Sequence, residues 1–171
     1  MACRGVLFAI EKKLAEKIES MKRENIVEFI QEEIEEEFFS KTPEYVAELD
    51  KSWDAAHRTF SNSTMTFKKE GNYPLNHLIL GASVIYGDKE SEADYIVTIN
   101  SPKIVKDIYK TLSLLTESDF REKYFAMDEN ACGFSLTDED CTYTWDWING
   151  TIPFWKTASE KNFFVIFTVD Q

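Results

Sequence analysis

The sequence is poor in glycine and proline, and it lacks any long apolar run. Its 171 residues include six Gly and four Pro, which excludes collagen-like and low-complexity chains. The apolar run Gly5–Ile10 is too short for a secretory signal, and no other stretch approaches the roughly 20 residues of a membrane span. No repeat is visible at a period of about 20–50 residues. We therefore expect one globular domain over residues 1–171.

Cysteine is also scarce. The chain contains Cys3, Cys132 and Cys141, and none of them belongs to a Cys-x-x-Cys motif. An odd number leaves one thiol over from any intramolecular pairing, so we expect reduced cysteines in a reducing compartment. Together with the missing export signal, this predicts a cytoplasmic protein.

Positive charge is in short supply. The 31 acidic residues outnumber the 19 basic residues, and the net charge is -12. Proteins bind nucleic acid by neutralising phosphates with Lys and Arg, and anionic membranes attract basic segments, so neither is an expected partner. An acidic surface favours solubility and steers basic partners inward. The glutamate-rich run over residues 28–37 is either a solvated helix face or a docking surface for a basic protein.

Several motifs of common chemistry are missing. The sequence contains no Gly-x-Ser-x-Gly elbow, no Gly-rich phosphate loop and no His-Glu-x-x-His pair. No cysteine has a histidine close to it in sequence, and Cys132 and Cys141 also lack a basic neighbour, as an activated thiol would need. The sequence therefore predicts neither a cofactor nor a metal.

The segment Leu49–Phe60 holds the densest chemistry in the chain. On a helix, at about 100° per residue, Leu49, Trp53, Ala56 and Phe60 fall on one narrow apolar stripe. This stripe predicts a helix packed against the core through Trp53.

Asp50, Asp54 and His57 line the flank of this expected helix at spacings of three and four residues. In a catalytic arrangement, Asp54 would orient His57 as a general base. A metal site would need a further ligand, and His77 is the only other histidine. In a structural network, Asp54 would pair with Arg58 or Lys51, and His57 would bond a nearby carbonyl. The network is the preferred interpretation, because a histidine beside a tryptophan stripe is typical of packing.

These residues also carry a resemblance. Leu49–His57 forms the pattern Leu-Asp-Lys-x-Trp-x-x-x-His. It is followed by Pro74-Leu75, an aliphatic run ending at Gly81, a helix start at Ser101-Pro102, the segment Phe120–Tyr124, and Phe154-Trp155. Over about residues 45–169 the chain resembles the YfbM-like family, whose function is uncharacterised. The resemblance implies an α+β fold, and it implies no activity, cofactor or catalytic residue.

The pattern along the chain predicts the same fold class. Strands are expected at residues 4–10, 83–86, 95–99 and 163–169, and helices at residues 49–60 and 74–81 among others. The last strand is apolar throughout, which is typical of a central strand covered on both faces. We expect an α+β domain with a small, mostly antiparallel or mixed sheet of three to four strands. Its first and last strands would be central, and about six helices would pack on it.

A second candidate site is aromatic. The residues Tyr143, Trp145, Trp147, Phe154 and Trp155 lie close together in sequence, and Asp146 and Asn149 are interleaved with them. Such residues are usually core, but Trp and Tyr are also enriched where proteins bind partners. Trp145, Trp147 and Trp155 are therefore candidate binding residues, beside Lys51, Trp53, Arg58 and His77.

The sequence is consistent with three functions. The leading hypothesis is a non-enzymatic protein-binding module with an acidic, aromatic-bearing surface, for example an immunity or antitoxin-like protein that caps a basic toxin. The alternative is a small-molecule-binding protein or enzyme that uses a cleft beside Trp53, with Asp54 and His57 in acid–base roles. A self-associating structural protein is the third. The sequence does not determine the oligomeric state.

Overall fold

A five-stranded antiparallel sheet forms the centre of the computed structural model, which describes residues 3–67, 70–92 and 94–171. The strand order is β2-β1-β5-β4-β3. The strands are β1 (Gly5–Ile10), β2 (Val46–Asp50), β3 (Ser83–Tyr86), β4 (Tyr95–Asn100) and β5 (Phe164–Asp170). The first and last strands pair as expected, from Val6 opposite Thr168 to Ile10 opposite Phe164. The α+β class is confirmed, whereas the prediction of three to four strands is wrong.

The additional strand is β2, part of which the sequence pattern predicts to be helical. Val46, Ala47 and Glu48 pair with β1, so the segment is extended up to Asp50. The chain turns at Asp50, whose φ of 46° lies in the left-handed region, and the helix begins only at Trp53. Leu49 nevertheless belongs to the same core as Trp53. Alternate residues of a strand point to opposite faces of the sheet, and Ala47 and Leu49 point to the face that α4 covers.

Helices cover both faces of the sheet. One face packs against α1 (Lys12–Ser20) and a continuous helical segment made of α2 (Ile26–Phe29), a π-helical stretch (Ile30–Glu35) and α3 (Glu36–Lys41). The other face packs against α4 (Trp53–Phe60), α5 (Pro102–Leu112), α6 (Glu117–Phe125), α7 (Glu129–Cys132), α8 (Asp138–Gly150) and α9 (Ile152–Glu160).

The central strand β5 shows why its sequence is apolar throughout. Val165 and Phe167 belong to the core beneath α4–α9, whereas Ile166 between them belongs to the core beneath α1–α3. All three side chains are almost fully buried. The prediction of a strand covered on both faces is confirmed.

Local signals fix several helix ends. The hydroxyl of Thr116 accepts the Asp119 N–H, and the Asp119 side chain accepts the Thr116 N–H, which completes a capping box at the start of α6. Gly150 ends α8, and Pro153 lies in the first turn of α9.

The prediction of a helix over residues 74–81 is wrong. Only Leu75–His77 form a short 3₁₀ turn. After it, backbone donors pair with side chains of β4: Gly81 N–H donates to Thr98 Oγ1 at 2.9 Å and Ala82 N–H to Asn100 Oδ1 at 2.8 Å. These bonds draw the chain along the sheet and into β3. Among the described residues, no helix combines the length and apolar character needed to cross a membrane.

Candidate functional site

Trp53 lies at the first turn of α4 and is only 6% exposed. Its ring centroid lies 5.7 Å from that of Phe167, and its Nε1–H donates to the carbonyl oxygen of Cys3 at 3.0 Å. A Cβ atom added to Gly5 would lie 2.8 Å from the Trp53 Cβ, so β1 has no room for a side chain where it packs against Trp53. Trp53 therefore joins the first strand, the last strand and α4.

The two carboxylates of the predicted row have separate partners. Asp50, at the end of β2, forms an ion pair with Arg4 at 3.3 Å and accepts a hydrogen bond from the Tyr143 hydroxyl at 2.7 Å. Asp54, on α4, pairs with Arg58 at 2.5 Å. Because Asp50 belongs to a strand end and not to the helix, the three residues do not form one continuous helical row.

His57 is buried, with 3% of its surface exposed. Burial lowers the pKa of His57 to about 4, against the opposing effect of a backbone hydrogen bond with Thr66. Its Nε2 has no hydrogen-bond partner among the described residues. A neutral, enclosed imidazole of this kind is poorly suited to general-base chemistry near neutral pH.

His77, the second histidine, is also buried and stacks edge-on against Tyr73 at 5.8 Å. Within residues 3–67, 70–92 and 94–171, no group of three or more His, Cys, Asp or Glu side chains is arranged to hold a metal ion. The three cysteines are free thiols.

The two candidate cations, Arg58 and Lys51, differ in how firmly internal contacts hold their side chains. The guanidinium of Arg58 bonds Asp54 and also donates to the carbonyl oxygens of Ser63 at 3.2 Å and Ala131 at 3.3 Å. It is thereby tied to the loop after α4 and to α7. Lys51 is exposed, in the turn between β2 and α4.

The aromatic candidates divide between core and surface. Trp145 and Trp155 are buried, and Trp145 packs 5.5 Å from Phe120. Trp147 is half-buried, and its ring contacts that of Tyr143, which is 38% exposed. Of these aromatic candidates, Trp147 and Tyr143 are the two that reach the surface.

Trp147 lines a groove of about 600 Å³ between β2, α8 and α9, which we call the Trp147 groove. Three carboxylates, from Glu44, Glu48 and Asp146, stand along it. Its other lining residues are apolar or uncharged: Pro43, Val46, Ala47, Gly150, Thr151, Pro153, Phe154 and Thr157.

A second depression, of about 420 Å³, lies on the other side of Tyr143, between α4, α6 and α8. We call it the Tyr124 pocket. It is lined by Lys51, Ser52, Asp54, Ala55, Tyr124, Phe134, Asp140, Tyr143 and Thr144. Asp54 and Lys51 also border a further depression, of about 540 Å³, beside Trp53, but His57 lines none of these three depressions in the described part of the chain.

Comparison with known proteins agrees with this architecture. The model of a family described as a domain of unknown function, DUF1877, matches residues 1–168. The chain belongs to the DUF1877 family. This DUF1877 chain is also similar to the crystal structure of a protein of unknown function, YfbM from Escherichia coli, with a TM-score of 0.66 and 15% sequence identity. The match covers 97% of this chain and 99% of that one.

The resemblance to YfbM-like proteins is therefore confirmed, and at this identity it shows the fold alone. A search of proteins with curated descriptions finds no match to the DUF1877 chain.

Sequence reasoning missed two features of this DUF1877 domain. It did not single out Tyr124 and Asp140, which come together in the Tyr124 pocket. A signal for part of the pocket was present, since Asp140, Tyr143 and Thr144 share one helix face at spacings of three and four residues. Their convergence with α4 and α6 depends on tertiary packing.

Proposed function

We propose that this protein is a non-catalytic binding module that receives a basic protein on the Trp147 groove. We base this on one observation: the groove has three carboxylates and an accessible tryptophan, and none of its described lining residues is a lysine or arginine. Charge complementarity of this kind speeds encounter and selects among partners.

The three carboxylates are available to a partner. Glu44, Glu48 and Asp146 are all exposed. None of them has an ion-pair partner within the described residues. A lysine or arginine from another protein can therefore approach without displacing an internal cation.

The groove also follows an edge of the sheet. β2 is the outermost strand beside β1, and of its five residues only Leu49 is buried. An exposed sheet edge can accept an extended segment as an additional strand, with main-chain hydrogen bonds supplying affinity. The proposed occupant is therefore an extended basic segment whose side chains reach the carboxylates.

Trp147 would be the anchor of this interface, because tryptophan in a partly enclosed site contributes much of the binding energy in protein complexes. A cytoplasmic immunity or antitoxin-like protein that caps a basic toxin is the concrete form of the proposal. The alternative is an enzyme with Asp54 and His57 in acid–base roles. It is disfavoured because His57 is buried and lines neither the Tyr124 pocket nor the depression beside Trp53.

Charge reversal in the groove should abolish capture of a basic partner. We expect the triple variant Glu44→Lys, Glu48→Lys and Asp146→Lys to bind roughly a hundredfold more weakly, since like-charge contacts across an interface cost several kcal/mol. The measurement is affinity capture at about 50 mM and about 500 mM salt, because screening weakens exposed charge pairs.

The matched control reverses three exposed glutamates on the helical segment of the opposite sheet face: Glu32→Lys, Glu33→Lys and Glu36→Lys. Both variants change the net charge by the same amount. The proposal requires a partner that wild type and control capture at low salt, and that the groove variant fails to capture. Equal loss in both variants, or capture indifferent to salt and to the groove, would refute it.

A further inference from the structure

We propose that the Tyr124 pocket is a separate recognition site for an alkylammonium group, meaning a primary amine cation carried on an apolar stem. The site is independent of the Trp147 groove. Its volume of about 420 Å³ falls within the range of small-ligand pockets, roughly 300–1,000 Å³.

A buried hydroxyl without a partner marks the pocket as a binding site. Tyr124 is 0% exposed, yet it forms part of the pocket lining. Its hydroxyl has no hydrogen-bond partner among the described residues. Buried hydroxyls are nearly always hydrogen-bonded in folded proteins. A buried hydroxyl without a partner beside a cavity therefore indicates that a ligand bound in the cavity supplies the partner.

Apart from the Tyr124 hydroxyl, which can both donate and accept, the hydroxyl groups of the pocket are free only to accept hydrogen bonds. Ser52 Oγ already donates to the carbonyl of Leu49 at 2.6 Å, and Thr144 Oγ1 donates to the carbonyl of Asp140 at 2.7 Å. Both hydroxyls therefore retain only lone pairs for a ligand. The Tyr143 hydroxyl is likewise committed, since it donates to Asp50. A ligand with several N–H donors matches this set.

A negative charge is also available. The carboxylate of Asp140 lies on the rim and has no ion-pair partner in the described ranges, whereas Asp54 is held by Arg58. Asp140 acts on Tyr124 as well: burial first, and then the charge of Asp140, raises the pKa of Tyr124 to about 12. Lys51 on the same rim is exposed, so it can turn toward solvent when a cation enters.

The remaining walls suit an apolar stem. Ala55, Phe134 and the ring of Tyr143 line the pocket between its polar groups. Aromatic faces also attract ammonium groups directly. A lysine side chain of another protein and a free alkylamine share this chemistry.

The test is titration of hexylamine into the full-length protein, followed by amide chemical shifts. We expect shifts at Ser52, Ala55, Phe134 and Thr144, and much weaker binding of the uncharged control hexanol. A parallel titration with Nα-acetyl-lysinamide separates the two sources. Tighter binding of Nα-acetyl-lysinamide identifies a protein lysine, and tighter binding of hexylamine identifies a free amine.

Two variants locate the interaction. Asp140→Asn should weaken hexylamine binding roughly tenfold to a hundredfold, because it removes a charged hydrogen-bond partner. The control is Glu139→Gln, which changes an exposed neighbour outside the pocket lining and should leave binding unchanged. Tyr124→Phe should weaken binding and yet leave the unliganded protein at least as stable in urea unfolding.

Equal binding of hexanol and hexylamine would overturn the proposal, as would an absence of shifts in the pocket. An unchanged affinity in Asp140→Asn would also contradict it. Marked destabilisation in Tyr124→Phe would show that the hydroxyl already has an internal partner, and the site would lose its basis.

Discussion

Replacement of Trp53 by alanine is expected to lower the free energy of unfolding by about 3–5 kcal/mol, the range measured for truncating a large buried aromatic side chain. The loss combines the contact with Phe167, the hydrogen bond to the Cys3 carbonyl and the cavity left beneath Gly5. Folded domains are stable by only about 5–15 kcal/mol, so a substantial part of the total would disappear.

Urea unfolding followed by far-ultraviolet circular dichroism measures this change. Trp147→Ala is the matched control, because it removes the same side chain from a half-buried position in the groove. We expect the control to lose much less stability. A Trp53→Ala protein within about 1 kcal/mol of wild type would mean that the indole is not part of the structural core.

Acidification should destabilise the protein through His57. The pKa of His57 is about 4 in the folded state, because burial opposes the charged form, whereas an exposed histidine has a pKa of 6.5. The unfolded chain therefore takes up a proton that the folded chain does not bind, and stability falls as pH drops below 6.5. Between pH 7 and pH 5 the free energy of unfolding should decrease by about 2 kcal/mol from this residue.

The measurement is urea unfolding at several pH values for wild type and His57→Gln. The variant cannot titrate at this position, so its stability should change less over the window, whatever its absolute stability. Glu92, whose pKa is lowered to about 2 chiefly by its hydrogen bond with Arg23, loses its contribution only below the ordinary range of a glutamate. Parallel pH curves for the two proteins would show that His57 is not the group responsible.

The part of the fold that the sequence predicted depends on local pattern. The β5 run is apolar on both faces, and Ser101-Pro102 stands directly at the start of α5, so each could be read without knowing the rest of the chain. The segment Val46–Asp50 could not. Its Leu49 fits a helical stripe with Trp53, and only pairing with β1 makes it a strand.

The candidate sites were harder to predict for a similar reason. Trp147 was named from the sequence, but the acidic residues Glu44 and Glu48 reach its groove only because β2 lies beside α8. Tyr124 carried no local signal at all. Its hydroxyl becomes a candidate binding group only because the fold places it beside a cavity and near Asp140, which lies sixteen positions further along the chain.

We propose that a basic partner binds in the Trp147 groove, while Asp54 and His57 on α4 serve the fold. Amide chemical shifts, mapped while a short peptide of alternating lysine and threonine is titrated into the protein, test this. We expect shifts in Val46–Glu48 and around Trp147, and their loss in the Glu44→Lys, Glu48→Lys, Asp146→Lys variant. Shifts centred on Asp54 and His57 instead, or spread over the glutamates of residues 28–37, would contradict it.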